Sequence, residues 1–382
     1  MTSIDLAPLP TMPDCRALRQ DVRDFLAHAL ADRALPARAR SWSAADPAFS
    51  RALGGKGWIG MTWPSAYGGG DASALERYVL VEELLAAGAP VAAHWFGDRQ
   101  SGAMLLRYAS EAVKAALLPR MAAGDLYFCI GMSEPGAGSD LAAIRTRATP
   151  VDGGWRVNGA KIWTSGAHLA HLMIALVRTG DGTDTRHDGL SQLIVDLKAP
   201  GVTVRPIVDQ MGDSHFCEVF LDDVFVPADM LLGTPGDGWR QVNAELALER
   251  SGPERYLSSY PLIEAVIAAL DDTADEALVA QVGHWAAQLW TLRQMSLSVA
   301  GKLAAGDDPM LEASLVKEVG ARFEQEVPRA LQAVWDGTGL ADADGALHEA
   351  LHFLLGASAC FSLRGGTREV LRGIIARGLG LR

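Results

Sequence analysis

Apolar positions along the chain change their period twice. From about residue 14 to 124 the spacing is helical: Leu18, Val22, Phe25, Leu26 and Ala29 recur on one face. Ser73 is placed to cap a helix through Leu75, Val79, Leu80 and Leu84, which Gly88 and Pro90 stop. Ser110 opens a further helix, SEAVKAALLPRMAAG, ended by Gly124. The stretch Trp63 to Gly70 between them is a loop by composition. From about 126 to 234 the pattern turns to short apolar or alternating runs: YFCIGM, WRVNG, HLMIALVRT, LSQLIVDL, VTVRPIV and CEVFLDDVFVP. Gly-Gly, Asp-Gly, Pro-Gly and Asn158-Gly159 separate them, which are turn dipeptides. Six or more such strands predict a small antiparallel barrel or sandwich. From about 237 helical spacing returns. Spans from Asp237 to about Leu270, Ala274 to about Ala305 and Pro309 to about Val334 are long enough for a bundle, and a last helix runs from about Thr367 to Ala376. The expectation is an α+β chain of three domains. They are an N-terminal α-helical domain over 1–125, a middle antiparallel β-barrel-like domain over 126–235, and a C-terminal four-helix-bundle-like domain over 236–382.

Composition narrows what such a chain does. Of its 382 residues 49% are apolar and 21% charged, as in ordinary globular proteins. The 40 glycines and 18 prolines are spread along the chain, which excludes collagen-like and low-complexity readings. A net charge of −12 with no basic run predicts neither a nucleic-acid nor a membrane partner. No run reaches the roughly 18 consecutive apolar residues that span a bilayer. The opening MTSIDLAPLPTMPD has no basic segment ahead of an apolar one, so a cytoplasmic location is expected. Cys15, Cys129, Cys217 and Cys360 lie far apart with no CxxC pair, which favours reduced thiols over a disulfide frame or zinc cluster.

The chemistry concentrates in four segments. Gly131-Met132-Ser133-Glu134-Pro135-Gly136-Ala137-Gly138-Ser139-Asp140 follows directly on an expected strand. Its proline and glycines force an irregular loop with exposed N–H groups, and with the Ser139 hydroxyl such a loop holds a pyrophosphate without positive charge. About 25 residues on, Lys161-Ile162-Trp163-Thr164-Ser165-Gly166 sets an indole beside hydroxyls, which suits a flat aromatic ring with polar edges. Glu249-Arg250 lies in an apolar helical stretch, and Gly365-Gly366-Thr367 opens the last helix.

Taken together and in order, these segments resemble the acyl-CoA dehydrogenase family over nearly the whole chain. The resemblance implies FAD as cofactor and an acyl-CoA substrate taken to the trans-2-enoyl-CoA, in fatty-acid or side-chain degradation. It also implies electron-transfer flavoprotein as acceptor. By the same resemblance Met132 and Ser133 lie near the flavin ring, Gly138 and Ser139 near the pyrophosphate, and Trp163 and Ser165 face the isoalloxazine. Gln332 and Thr367 are further cofactor contacts. The reaction needs a carboxylate base whose pKa is raised by an apolar pocket, and donors aimed at the thioester oxygen. Many members place the glutamate directly before the last helix, where this chain has Gly365. Isovaleryl- and long-chain-type members keep it on an earlier helix, at the position of Glu249. Glu249 is therefore the expected base, Arg250 the residue that orients the site, and the Gly365 N–H an oxyanion donor.

The chain departs from the family in places. An Arg-x-x-Phe segment that completes the FAD site of a neighbouring subunit is replaced by Asp271-Asp272-Thr273-Ala274-Asp275-Glu276. A Gln-x-x-Gly-Gly-x-Gly segment survives only as Gln332-Ala333-Val334-Trp335-Asp336-Gly337-Thr338-Gly339. Either one chain holds FAD, or another contact replaces the arginine, or a related subunit supplies what is missing. A homo-oligomer is favoured over a hetero-oligomer with a related subunit. His215-Phe216-Cys217-Glu218 replaces the family's Ser-Asp-Thr, and His94 to Gln100 lies where the family lines its acyl channel. Three other readings stand beside the dehydrogenase. His348-Glu349-Ala350-Leu351-His352 matches the zinc-hydrolase pattern HExxH but needs a third ligand, and no HxxGxxH extension follows. A flavin monooxygenase or oxidase of this fold would lack the Glu249 base. A vestigial scaffold would be indifferent to Glu249→Gln.

Overall fold

The computed structural model describes residues 4–7, 14–180, 186–248, 251–270, 275–307, 309–335 and 345–381. Helices α1 (Arg16–Ala29), α2 (Leu35–Arg40), α3 (Pro47–Gly55), α4 (Ala74–Ala86), α5 (Ala92–Phe96), α6 (Gly102–Tyr108) and α7 (Glu111–Ala122) come first. The strands follow as β1 (Phe128–Gly131), β2 (Arg147–Val151), β3 (Gly154–Ser165), β4 (Leu172–Arg178), β5 (Leu190–Asp196), β6 (Val202–Ile207), β7 (Phe216–Pro227) and β8 (Leu231–Leu232). Helices α8 (Gly238–Leu248), α9 (Tyr260–Ala269), α10 (Glu276–Ala304), α11 (Met310–Val334), α12 (Ala346–Phe361) and α13 (Arg368–Gly378) complete the order. Two compact units result. A helical unit takes Met1–Ala44, Ser73–Pro90 and Glu249–Arg382, and a sheet unit takes Ala45–Ala72 and Val91–Leu248. The helices ahead of the sheet are thereby divided between the two.

The caps read from sequence form as expected. Ser73 Oγ accepts the Glu76 N–H at 3.2 Å while Glu76 Oε2 accepts the Ser73 N–H at 2.8 Å, a reciprocal box at the head of α4. Ser110 Oγ accepts the Val113 N–H at the head of α7. One expected helix is broken. The span from Asp237 to Leu270 divides into α8 and α9 with a 3-10 turn, Pro253–Arg255, between them. Gly252 is extended (ψ 172°) because a proline ring clashes with a helical residue before it.

In the sheet unit the strand order is β6-β7-β3-β2-β4-β5-β8, with β1 beside β4. β1 and β2 run parallel to β4, and the other pairings are antiparallel. β4 explains the arrangement. Met173 to Val177 are all fully buried, and their side chains alternate between the two sides of the strand. Met173, Ala175 and Val177 join Cys129, Val157, Leu193, Cys217, Val219 and Leu221 inside the curled sheet. Ile174 points the other way, onto Met104, Leu105, Leu117 and Leu118 of α6 and α7. β2 and β8 were not among the expected strands: Pro150 interrupts the pattern of one, and the other has two residues.

In the helical unit α4 is buried from Tyr78 to Leu85, acidic residues included. Glu82 accepts from Arg19 Nη2 (2.9 Å) and Arg293 Nε (2.6 Å). Glu83 pairs with Arg19 and with Arg23 Nε (2.7 Å). Beneath them the hydroxyls of Tyr78 and Tyr256 meet at 2.6 Å. Burial pushes both phenols up. Each hydroxyl is therefore a hydrogen-bonded neutral group. Removing one leaves the other short of a buried partner. We expect Tyr78→Phe to lower the unfolding free energy by about 1–3 kcal/mol, and Tyr78→Phe with Tyr256→Phe to cost less than the sum. Denaturant unfolding of the four species of that cycle measures it.

Candidate active site

The loop from Gly131 to Asp140 leaves the end of β1 where Gly131 pairs with Ala175 of β4. Its tip is a tight turn in which the Glu134 N–H donates to the Ala137 carbonyl (2.9 Å) and the Ala137 N–H returns to the Glu134 carbonyl (3.0 Å). Met132 and Ser133 are half-buried, while Gly138 and Ser139 are exposed. The Ser133 carbonyl accepts the Ile162 N–H at 2.9 Å, so the loop is laced to β3. The two segments that the sequence singled out thus adjoin within one unit.

β3 changes register against β7 between Lys161 and Thr164. In that bulge Trp163 takes a left-handed backbone, φ 58°, which costs a non-glycine residue about 1–3 kcal/mol. The result is an indole 57% exposed, edge-on to Phe216 at 5.9 Å, with Ser165 half-buried two residues on. A large aromatic side chain held outward at such cost is a feature of a binding face. Thr164 Oγ1 next to it is buried and has no hydrogen-bond partner among the described residues.

Under both segments lie two charges to which the sequence reading gave no role. Lys161 is fully buried and donates to Glu134 Oε1 (2.8 Å) and to the Met132 carbonyl (3.2 Å). Glu134 also accepts the N–H groups of Arg145 (2.6 Å) and Thr146 (2.9 Å). Burial pushes the Lys161 ammonium down to about 8, against the pull of Glu134. Burial works to raise Glu134, but the Lys161 charge and these donors outweigh it and hold the carboxyl below its ordinary 4.5. A lysine in the interior of β3 was the available signal.

The other expected site residues lie in the helical unit. Thr367 caps α13, its Oγ accepting the Val370 N–H. Gln332 is exposed near the end of α11. Gly365 has φ 72°, and a Cβ there would lie 2.7 Å from Nη2 of Arg255. Arg255 is 2% exposed and donates to the Arg364 carbonyl at 3.4 Å. Glu249 and Arg250 lie outside the described residues, as do Asp271 to Ala274 and Asp336 to Gly339. On α12, His348, Glu349 and His352 face outward while Leu347, Ala350 and Leu351 are buried. Among the described residues no three His, Cys, Asp or Glu side chains gather as a metal site, and no helix is long and apolar enough to cross a membrane.

Three family models match in succession: the N-terminal domain of acyl-CoA dehydrogenase over residues 12–125, its middle domain over 129–224 and its C-terminal domain over 236–380. The chain belongs to the acyl-CoA dehydrogenase family. It is 34% identical to acyl-CoA dehydrogenase IpdE1 of Mycobacterium tuberculosis over 97% of this chain and 98% of that one. It is 34% identical to acyl-CoA dehydrogenase FadE34 of the same organism over 86% of its residues, and spans 45% of that longer protein. The solved steroid ACAD Tcur3481-Tcur3483 superposes with a TM-score of 0.85 at 26% identity, covering 99% of this chain and 98% of that one.

As a member of this family the chain is an oxidoreductase and a flavoprotein, with FAD as cofactor. The residues present fit FAD. An exposed indole flanked by hydroxyls suits a flat ring with polar edges. At Gly136 and Gly138 an added Cβ would meet no atom within 4 Å, so the backbone is open to close approach by an anionic group.

Two outcomes follow from this geometry. Glu134 has a folded pKa below its unfolded one, so its stabilisation is complete above 4.5 and is lost as pH falls through the lower folded value. As pH falls below 4.5 the melting temperature should therefore drop less steeply in Glu134→Gln than in the wild type. Gly365→Ala should destabilise by about 1–3 kcal/mol through its positive φ and the Arg255 guanidinium, as read by thermal unfolding.

Proposed function

We propose that the chain carries out α,β-dehydrogenation of an acyl-CoA thioester to the trans-2-enoyl-CoA, with Glu249 removing the α-proton. The observation that carries this reading is the joint survival of the loop Met132 to Ser139 and the outward Trp163, laced together on one face of the sheet unit. Bound FAD supplies the hydride acceptor, N5, and a ribityl hydroxyl. Met132 and Ser133 line the ring, Gly138 and Ser139 take the pyrophosphate, and Trp163 and Ser165 face the isoalloxazine. Gln332 and Thr367 are further cofactor contacts on family grounds alone. The Gly365 N–H donates to the thioester oxygen as negative charge develops there. Arg255 occupies the space a side chain at 365 would need, which supports a base elsewhere. Glu249 is that base and Arg250 orients it. Both assignments rest on the sequence.

The chain works as an oligomer in this reading. The missing Arg-x-x-Phe segment and the two-component Tcur3481-Tcur3483 ACAD favour a related second subunit over self-association. The same relative favours an acyl group carried on a steroid over a straight chain. Electron-transfer flavoprotein is the expected acceptor on family grounds alone.

The first measurement is the visible spectrum of the desalted protein, alone and co-purified with a related subunit. We expect about one flavin per site. A steroid side-chain CoA thioester should bleach the long-wavelength band faster than a straight-chain one. Glu249→Gln should keep the flavin and slow bleaching about 10²–10⁴-fold. A protein that takes up no FAD in either setting overturns the dehydrogenase reading.

A further inference from the structure

The buried charges under the loop have a use that the reaction itself does not require. Four of their hydrogen bonds end on three separate pieces of backbone or side chain. Lys161 Nζ holds the Met132 carbonyl and Glu134 Oε1, and Glu134 holds the N–H groups of Arg145 and Thr146. Lys161 also stands at the start of the bulge that turns Trp163 outward. The next residue, Ile162, donates its N–H to the Ser133 carbonyl. One ammonium therefore fixes the base of the loop and the base of the bulge at once.

Resting on the flavin site read above, we propose that Lys161 and Glu134 are a positioning pair. They set the spacing between the two segments that take the flavin, Met132–Ser133 on the loop and Trp163–Ser165 on β3. Both side chains are buried beneath the segments they hold.

Bulk stability does not explain the pair. Desolvating two charges cancels most of their attraction, and an apolar pair of similar volume generally stabilises a fold as well or better. What an apolar pair lacks is direction. A methionine at 161 has no donor for the Met132 carbonyl, and a leucine at 134 has no acceptor for the Arg145 and Thr146 N–H groups. The core stays filled while the loop loses its register to the bulge.

The test uses the holoenzyme, with its second subunit if one co-purifies. Lys161→Met is combined with Glu134→Leu so that no lone charge remains buried. Three quantities are read: the cooperative melt of the FAD-free protein, the dissociation constant for FAD, and the midpoint potential of bound flavin. We expect a melt that stays cooperative although at a lower temperature, at least about tenfold weaker FAD binding, and a shifted potential. A merely structural pair would move the melt and leave affinity and potential at wild-type values, which overturns the proposal. If the double variant does not fold, Glu134→Gln is measured at a temperature where its FAD-free form is folded, and unchanged FAD affinity there also overturns it. A wild-type protein that binds no FAD overturns the dehydrogenase reading and the pair together. Wild-type binding with unchanged variants overturns the pair alone.

Discussion

Burial of β4 on both faces is the constraint on which the sheet unit depends. A strand with five successive residues out of water needs a core on each side. The curled sheet supplies one and helices α6 and α7 supply the other. With both faces covered, β1 pairs along β4 in parallel, and the chain leaves the sheet at Gly131 as the loop that carries Ser133 and Ser139. The loop therefore leaves the sheet beside a strand that is enclosed on both faces. The loop itself, with exposed Gly138 and Ser139, stays open to a ligand.

The helical unit solves a different problem. Its helices bury charged residues that a simple amphipathic pattern would place outside. Glu82 and Glu83 on α4 are enclosed with three arginines, and Glu324 on α11 meets Arg364 at 2.6 Å. Arg368 and Arg372 close on Glu318, holding its carboxyl below the ordinary range although burial pulls the other way. Each charge has a partner in place, which is the condition for tolerating it away from water. These pairs fix how α4, α10, α11 and α13 register within the unit, because a guanidinium accepts only a narrow set of carboxylate positions.

Much of the fold was legible from residue order. The period of 3.6 in α1, α10 and α11 marked those helices by one wet and one buried face. The short alternating or largely apolar runs of β3 to β7 marked the strands, β4 being apolar from Leu172 to Val177 because both its faces are buried. Ser73, Ser110 and Thr367 marked helix starts, because a hydroxyl there satisfies free N–H groups. The break between α8 and α9 was hidden by continuing apolar spacing, although Gly252-Pro253 was its cause. Of the site, Trp163 was legible as a residue and illegible as a conformation. Its exposure comes from a register shift between β3 and β7, which depends on a strand about fifty residues away. Lys161 and Glu134 stood inside the motifs without a role, because a pair 27 residues apart becomes a contact only when β3 lies against the loop.

The sequence alone determined the α–β–α succession, the family and its flavin, and the absence of a carboxylate at 365. Each of these is carried by local spacing or by contiguous residues. Only the tertiary structure decided that the helices ahead of the sheet divide between two units, that Arg255 fills the space over Gly365, and that one buried ammonium spans the loop and the bulge. The physical reason is common to all three. Burial and hydrogen-bond partners belong to residues far apart in the chain, and a charge or a glycine acquires its role from what packs against it.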